Sequence, residues 1–317
     1  MNIEIKKYIS LILKILFSVA LLFIIFNSLD FSQTINLLKN INIYFFFLAV
    51  SILLLQIIFA TQRWKFVLVM LDFRMTFKLT LCYLWIGLFF NQALPSSIGG
   101  DAMRGYYLKR KSGSIKEATI GVLLDRLFGL IGLVTLVLIL SPLLFFRLET
   151  VNFHKELLIV IVGMIVIFSS VIFFDSLRFN FFNSKIMNGF KSLSYESRRI
   201  LFSKHPGIIL ICLSVVIHLF SIFAVMLLSL SLELNIDFIG ILLIVPLVTL
   251  FTLIPISVAG WGVREGVMVI GLGLIDVPPE QSLALSILYG ILMLLISLPG
   301  GLAWFFNGLT MNKINLK

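Results

Sequence analysis

Charged residues are scarce in this chain. They make up 13% of its 317 residues, whereas hydrophobic residues make up 60%. Soluble domains contain about 25% charged and roughly 45–50% apolar residues, so this composition cannot cover a water-facing surface. The apolar residues form runs long enough for helices that cross a bilayer. We therefore expect an all-α integral membrane protein.

Cysteine and histidine are also rare, with 2 and 3 residues respectively. Cys82 and Cys212 both lie in apolar segments, so they do not form a disulfide framework. Neither they nor the histidines follow the spacing of a metal site, and no Asp-x-Asp pattern occurs. The sequence predicts no metal, no cofactor and no catalytic residue.

Six apolar stretches are long enough to span the hydrocarbon core, for which about 20 residues suffice. The predicted spans are Tyr8–Asn27, Ile43–Ala60, Ala118–Phe146, Leu157–Phe174, Gly207–Leu232 and Ser282–Phe306. The first of them follows a basic start but lacks a small-residue cleavage site. We interpret it as a retained helix rather than a signal peptide.

Two further apolar segments, Phe77–Leu108 and Phe238–Ile275, are interrupted by the same pattern of residues. The matched positions are Pro95, Ser97, Gly100 and Arg104 in the first, and Pro255, Ser257, Gly260 and Arg264 in the second. Proline and glycine break the helix where lipid would otherwise demand that it continue. Paired broken segments in the two halves of a membrane protein indicate a transporter's binding site.

The distribution of lysine and arginine predicts the topology, because cytoplasmic loops are enriched in both. If each broken segment is a re-entrant hairpin, most loop cations, Arg63 included, fall inside, and only Lys39, Arg147 and Lys155 fall outside. Both termini are then cytoplasmic. Residues 1–156 and 157–317 each contain a helix, a second helix, a hairpin and a last helix in this order, but the first half starts in the cytoplasm and the second starts outside. The fold prediction is therefore six full helices and two re-entrant hairpins, arranged as two inverted repeats.

Six charged residues fall inside the predicted membrane segments: Asp101, Arg104, Asp125, Arg126, Arg264 and Glu265. An isolated charge at the bilayer centre costs at least ~2.5–3.5 kcal/mol, so each needs a partner. Two interpretations stay open. Either the charges pair with one another and hold the hairpins in register, or some guanidinium N–H groups are left to bind an anionic ligand. A guanidinium suits phosphate oxygens, and glycines beside it expose backbone N–H groups that bind anions.

Three weaker signals concern single polar features. Asn91 either caps the broken helix or lines the cavity. His218 lies in an apolar run and is expected to make an interhelical hydrogen bond. The long loop from Asp175 to Pro206 is expected to be a solvated connector or an amphipathic helix that faces anionic lipid.

Three ordered stretches, from Asn91 to Arg104, Asp125 to Gly129 and Pro255 to Glu265, resemble the signatures of the lysylphosphatidylglycerol synthase transmembrane-domain family. That family includes the flippase half of the bacterial multiple peptide resistance factor. The resemblance implies movement of phospholipids or lipid-linked sugars between leaflets. Together with the repeated pattern, it gives the candidate substrate-binding residues Asn91, Pro95, Ser97, Gly99, Gly100, Asp101, Arg104, Asp125, Arg126, Pro255, Ser257, Gly260, Trp261, Gly262, Arg264 and Glu265.

We therefore predict a multi-pass, flippase-like transporter in the cell (inner or plasma) membrane. Its substrate would be an anionic phospholipid or a polyprenyl-phosphate-linked glycan. The alternatives are a membrane transferase that modifies the same lipid, or an accessory subunit that binds a lipid-modifying enzyme. The chain ends at Lys317 without the soluble acyltransferase-like domain of the family's synthases, which favours a transporter over an enzyme. We expect the bilayer and the lipid as partners, and no nucleic acid.

Overall fold

The computed structural model describes residues 31–94, 99–147, 169–176, 185–253 and 257–314, and the isolated positions 16, 19, 23, 159, 162, 163 and 166. This part of the chain is helical and contains no strand. Its helices are α1 Phe31–Lys39, α2 Ile43–Met70, α3 Phe77–Ala93, α4 Gly99–Ser112, α5 Ile115–Arg147, α6 Lys185–Leu201, α7 Pro206–Ser231, α8 Phe238–Thr252, α9 Val263–Gly273 and α10 Pro279–Ile314.

Four of these helices contain segments long and apolar enough to cross a membrane. The segments are Ile43–Met70, Ile115–Leu143, Pro206–Ser231 and Pro279–Phe306. They confirm four of the six predicted spans. The predicted span Tyr8–Asn27, and Leu157–Phe174 for most of its length, lie outside the described residues.

Both broken segments form pairs of short helices. In the first, Gly87 contacts Arg104 and Asn91 contacts Gly100. Residue numbers rise along α3 from 87 to 91 while those of the contacted residues in α4 fall from 104 to 100, so α3 and α4 are antiparallel. We call this pair hairpin one.

The second broken segment has the same geometry. Gly240 approaches Ile275, and Ile244 approaches Gly271, so α8 and α9 are also antiparallel. We call this pair hairpin two. The 17 residues of α3 and the 15 of α8 extend about 25 Å and 22 Å at ~1.5 Å per residue, less than a ~30 Å hydrocarbon core.

The order of elements repeats along the chain. Helices α2 to α5 read long, short, short, long, and α7 to α10 read the same. It corresponds to helix, hairpin and helix, the last three elements of each predicted half. The opposite orientation that would make the repeat inverted stays a prediction.

The chain forms two compact units. Unit one comprises Met1–Ile57, Leu81–Arg104 and Phe220–Lys317, and unit two comprises Ile58–Thr80 and Gly105–Leu219. Unit one therefore holds hairpin two and the facing ends of hairpin one. The core of unit two joins α2, α5, α6 and α7 through Val67, Ile120, Leu124, Phe128, Leu193, Ile200 and Leu210.

Within unit one, α3 packs on the C-terminal part of α10. The indole N–H of Trp85 donates to the carbonyl of Ile296 at 2.8 Å, and the backbone of Trp85 lies directly against Gly300. The ring of Phe90 meets that of Trp304 edge to face, with 5.3 Å between centroids. Glycine allows this approach because a side chain at position 300 would collide with α3.

Candidate anion site in the broken hairpins

The turn of hairpin two holds a carboxylate at the start of a helix. Gly262 precedes α9 with φ 86°, a left-handed conformation that glycine adopts without steric cost. Its N–H donates to Oε2 of Glu265 at 2.6 Å. The first N–H groups of a helix lack intrahelical partners and carry the positive end of the helix dipole. Glu265 is therefore an anion bound at a helix N-terminus.

The arginine next to it binds the other carboxylate oxygen. Nη2 and Nε of Arg264 donate to Oε1 of Glu265 at 2.5 and 3.1 Å, and the hydroxyl of Ser286 donates to the same oxygen at 3.3 Å. The ring of Trp261 covers the guanidinium carbon at 4.6 Å. The carboxylate side chain of Glu265 is 0% exposed, so its charge is neutralised entirely by protein donors.

Helix α10 forms the wall of this site with two small residues. Ser286 and Gly290 are four residues apart and share one face of the helix. A methyl group at position 290 would collide with Nη2 of Arg264. The glycine therefore makes the space that the guanidinium occupies.

The turn of hairpin one has different chemistry at the same place. The side-chain oxygen of Asn91 accepts a hydrogen bond from the N–H of Gly100 at 3.0 Å, so Asn91 caps the start of α4. Asp101, in the first turn of α4, contacts Nη1 of Arg104 at 3.4 Å. These two charges therefore pair in this conformation, and Arg104 is buried.

Close packing within hairpin one positions Arg104. A methyl group at Gly87 would lie 2.7 Å from Cγ and Cδ of Arg104. The arginine stem therefore packs on the face of α3 that carries Gly87, about 200° around the helix from Trp85 and Phe89, which contact α10. This places Arg104 at the level of α10 residues Ile296 to Gly301, since Trp85 and Phe89 lie on either side of Gly87.

The two arginines consequently lie at different levels of α10. Arg264 contacts Ser286 and Gly290, whereas the part of α3 that holds Arg104 contacts α10 from Ile296 onward. At ~1.5 Å per residue the axial separation is roughly 9–22 Å. In this conformation the two guanidinium groups do not converge on one phosphate.

Asp125 has a partner that the sequence analysis did not assign. Nε of Arg63 donates to Oδ1 of Asp125 at 2.9 Å, and Nη1 donates to the hydroxyl of Ser214 at 3.2 Å. The placement of Arg63 in a cytoplasmic loop was wrong. It lies inside α2, which continues to Met70 rather than ending at Ala60, and it is 8% exposed.

The same unit confirms the expected role of His218. Its Nε2 donates to the carbonyl of Gly129 at 3.0 Å, which joins α7 to α5. Within the ranges that the structure describes, no group of three or more His, Cys, Asp or Glu side chains is placed to hold a metal ion.

Comparison with known proteins identifies the family. Residues 11–300 match the model described as the lysylphosphatidylglycerol synthase TM region. The chain belongs to this family. A UPF0104 membrane protein of Methanocaldococcus jannaschii is 27% identical over 308 residues, which cover 89% of each chain. One of Pyrococcus horikoshii is 24% identical over 202 residues, covering 63% of this chain and 57% of that one.

Family membership confirms the resemblance and establishes a multi-pass membrane protein with a lipid-related role. Eleven of the candidate site residues belong to unit one, divided between the two hairpins: Asn91, Gly99, Gly100, Asp101, Arg104, Ser257, Gly260, Trp261, Gly262, Arg264 and Glu265. Asp125 and Arg126 belong to unit two. Pro95, Ser97 and Pro255 lie outside the described residues.

Proposed function

We propose that the protein is a flippase-like transporter that moves an anionic phospholipid or a polyprenyl-phosphate-linked glycan between leaflets. The observation that supports this most is the carboxylate of Glu265. It lies at a helix N-terminus, held by an arginine fork, a backbone N–H and a hydroxyl. A lipid phosphate presents the same negative charge and the same acceptor oxygens, so these donors suit it equally.

Substrate phosphate would reach these donors by displacing Glu265. The exchange leaves the number of charge-assisted contacts to Arg264 nearly unchanged, because one oxyanion replaces another. The displaced carboxylate would lose its own donors, and this cost offsets part of the binding free energy of the phosphate, so the cargo can leave again. A shift of α9 would complete the release.

Arg104 and Arg264 would act in sequence rather than together. Their different levels on α10 support a path on which the headgroup passes from one arginine to the other. The tighter contact of Arg264 with Glu265, compared with 3.4 Å between Arg104 and Asp101, favours Arg104 as the first contact.

Alternating access would follow if the two hairpins belong to inverted repeats. The protein would lie in the inner or plasma membrane, with both termini in the cytoplasm. Single cysteines at Lys111 and Glu280, in a background without Cys82 and Cys212, test this topology. A membrane-impermeant thiol reagent should label position 111 from the cytoplasmic side and position 280 from outside. Labelling of both positions from one side would refute the inverted arrangement.

The function itself is tested with purified protein in liposomes. We expect Arg104→Lys and Arg264→Lys to slow headgroup-dependent lipid movement ten- to a hundredfold, because lysine keeps the charge but loses the planar fork. One hydrogen bond to a charged group contributes roughly 1.5–3 kcal/mol. Arg110→Lys is the matched control, since Arg110 is an exposed residue of α4 that contacts Tyr106.

Wild-type rates in both arginine variants would refute phosphate binding by these residues. The same liposomes separate transport from lipid modification, since mass spectrometry of the extracted lipid detects any covalent product. A modified lipid in the presence of a candidate donor would favour the transferase. Lipid movement that appears only with a partner enzyme would favour the accessory subunit.

A further inference from the structure

A groove of about 600 Å³ runs between the start of α5 and helix α6, within unit two. Its walls are almost entirely apolar, formed by Ile115 and Leu123 from α5 and by Phe190 and Leu193 from α6. The volume falls within the range of ligand pockets, about 300–1,000 Å³. Leu123 is 42% and Phe190 is 53% exposed, so the groove presents apolar surface to whatever surrounds it.

The groove begins where a membrane-crossing helix begins. Ile115 is the first residue of the apolar segment Ile115–Leu143, and Leu123 lies about 12 Å further along at ~1.5 Å per residue. One end of the groove is therefore at the level of lipid headgroups, and the other reaches the acyl chains. Helix α6 forms one wall of the groove, and its amphipathic face buries Leu193 and Ile200.

A cation marks the headgroup end. Lys116 lines the groove and is exposed. Three more cations, Lys109, Arg110 and Lys111, close α4 just before it in the chain. Of these four cations, Lys116 is the one that lines the groove, and one basic residue near the membrane surface contributes about 1 kcal/mol to the binding of an anionic lipid.

The groove is open along its α6 side. Gly189 lines it, and a Cβ added at this position would meet no atom within 4 Å. The space beside α6 is thus accessible to a flexible chain rather than filled by the protein. At this depth of a bilayer, the molecule that combines an apolar chain with an adjacent charged group is a phospholipid, through its acyl chain and its headgroup.

We propose that this groove binds one acyl chain of an anionic phospholipid, whose phosphate contacts Lys116. The site lies apart in the sequence from both broken hairpins, and does not depend on the transport proposal. A bound lipid would hold α6 against α5 in the way that a side chain fills a core.

Photolabelling in vesicles tests the proposal. The protein is reconstituted in phosphatidylcholine with a trace of phosphatidylglycerol that carries a diazirine in one acyl chain, or with the matching phosphatidylcholine probe. Labelled peptides are mapped by mass spectrometry. We expect label in residues 115–123 and 187–193, about fivefold more from the anionic probe than from the zwitterionic one, as one lysine at the surface would give.

Two variants locate the lipid. Lys116→Gln should remove the preference for the anionic probe, whereas Lys111→Gln, outside the groove lining, should retain it. Gly189→Leu fills the groove and should suppress labelling by both probes. Gly273→Leu is its control, because position 273 also has no atom within 4 Å of an added Cβ but belongs to α9. If Gly189→Leu fails to fold, Leu123→Trp replaces it as the groove-filling variant.

Equal labelling of the wild type by the two probes would overturn the headgroup assignment. Labelling that survives both groove-filling variants would overturn the site itself, since it would then come from lipid that surrounds the protein without specific binding.

Discussion

The two hairpins share their order of elements and their arginine positions, yet they neutralise charge differently. In hairpin two a carboxylate caps the helix and is 0% exposed, with donors from Gly262, Arg264 and Ser286. In hairpin one a neutral amide, Asn91, caps the helix, and the side chain of Asp101 is 17% exposed. Repeated motifs in a sequence therefore do not imply equivalent sites.

This difference suggests a division of labour. A fully buried ion pair makes its hairpin sensitive to the loss of either partner, because the remaining charge is left in a low-dielectric interior. In hairpin one the acid beside Arg104, Asp101, is partly exposed and makes a longer contact, while Asn91 caps the helix separately. A phosphate can therefore displace Asp101 at a smaller cost than Glu265. We expect hairpin two to dominate stability and hairpin one to dominate substrate capture.

The largest effect should come from Glu265→Ala. Removing the carboxylate leaves Arg264 buried without its closest partner, which typically costs about 3–5 kcal/mol of folding free energy. Asp101→Ala in hairpin one should cost much less, because its carboxylate is partly exposed and solvent screens the change. Thermal unfolding of the purified variants in detergent measures both.

The control for this comparison is the double variant Glu265→Ala with Arg264→Met. It removes both charges and should regain much of the lost stability. Equal destabilisation by Glu265→Ala and Asp101→Ala would show that the two hairpins do not differ as described.

The next largest effect should come from Gly290→Ala. The added methyl would collide with the guanidinium of Arg264, and overpacking of this kind costs about 1–3 kcal/mol. Gly105→Ala is the counterpart on the helix of hairpin one, where an added methyl meets nothing within 4 Å. The midpoint of thermal unfolding should fall for the first and stay or rise for the second. The same fall in both would argue against the close contact at Gly290.

A third prediction exchanges the caps. Asn91→Ala should destabilise the protein by about 1 kcal/mol through loss of the bond to Gly100. Asn91→Asp should restore that stability, because an anion is favourable at a helix N-terminus. It should nevertheless slow lipid movement by adding a fixed negative charge near Arg104. Transport at the wild-type rate in Asn91→Asp would contradict the role given to the neutral cap.

The smallest effect should come from Ser286→Ala. It removes one hydrogen bond to Glu265 and should cost about 0.5–1.5 kcal/mol. Ser297→Ala is the matched control on the same helix, since the hydroxyl of Ser297 bonds to the carbonyl of Leu294 in its own helix. Unfolding curves that coincide for the two variants would show that Ser286 does not support the carboxylate.

The sequence was informative about the position of the hairpins. Helix α3 ends at Ala93 and α4 begins at Gly99, and α8 ends at Thr252 and α9 begins at Val263, as the motifs predicted. Proline alone was not the signal, because Pro142, Pro246 and Pro299 lie inside helices. Asp101 and Arg104 are three residues apart, which puts them on one face of a helix, and they are in contact there. These features depend on local geometry, which the order of residues determines directly.

Partners from distant parts of the chain were harder to predict. Arg63 was placed in a loop because the span was ended at Ala60, although the apolar run from Phe66 to Met70 allows the helix to continue. The available signal for Arg63 was Asp125, because a carboxylate inside the membrane needs a cationic partner. Nothing in the sequence pattern points to Ser286 or Gly290, since their importance arises only when α10 packs against α9.

Both hairpins pack on helix α10. Hairpin two contacts it at Gly290 and hairpin one at Gly300 and Gly301, where any side chain would collide with the hairpin. A displacement of this helix by one turn would bring a side chain into each of these places. The glycines therefore fix the axial position of the last long helix, and through it the spacing of the two hairpins.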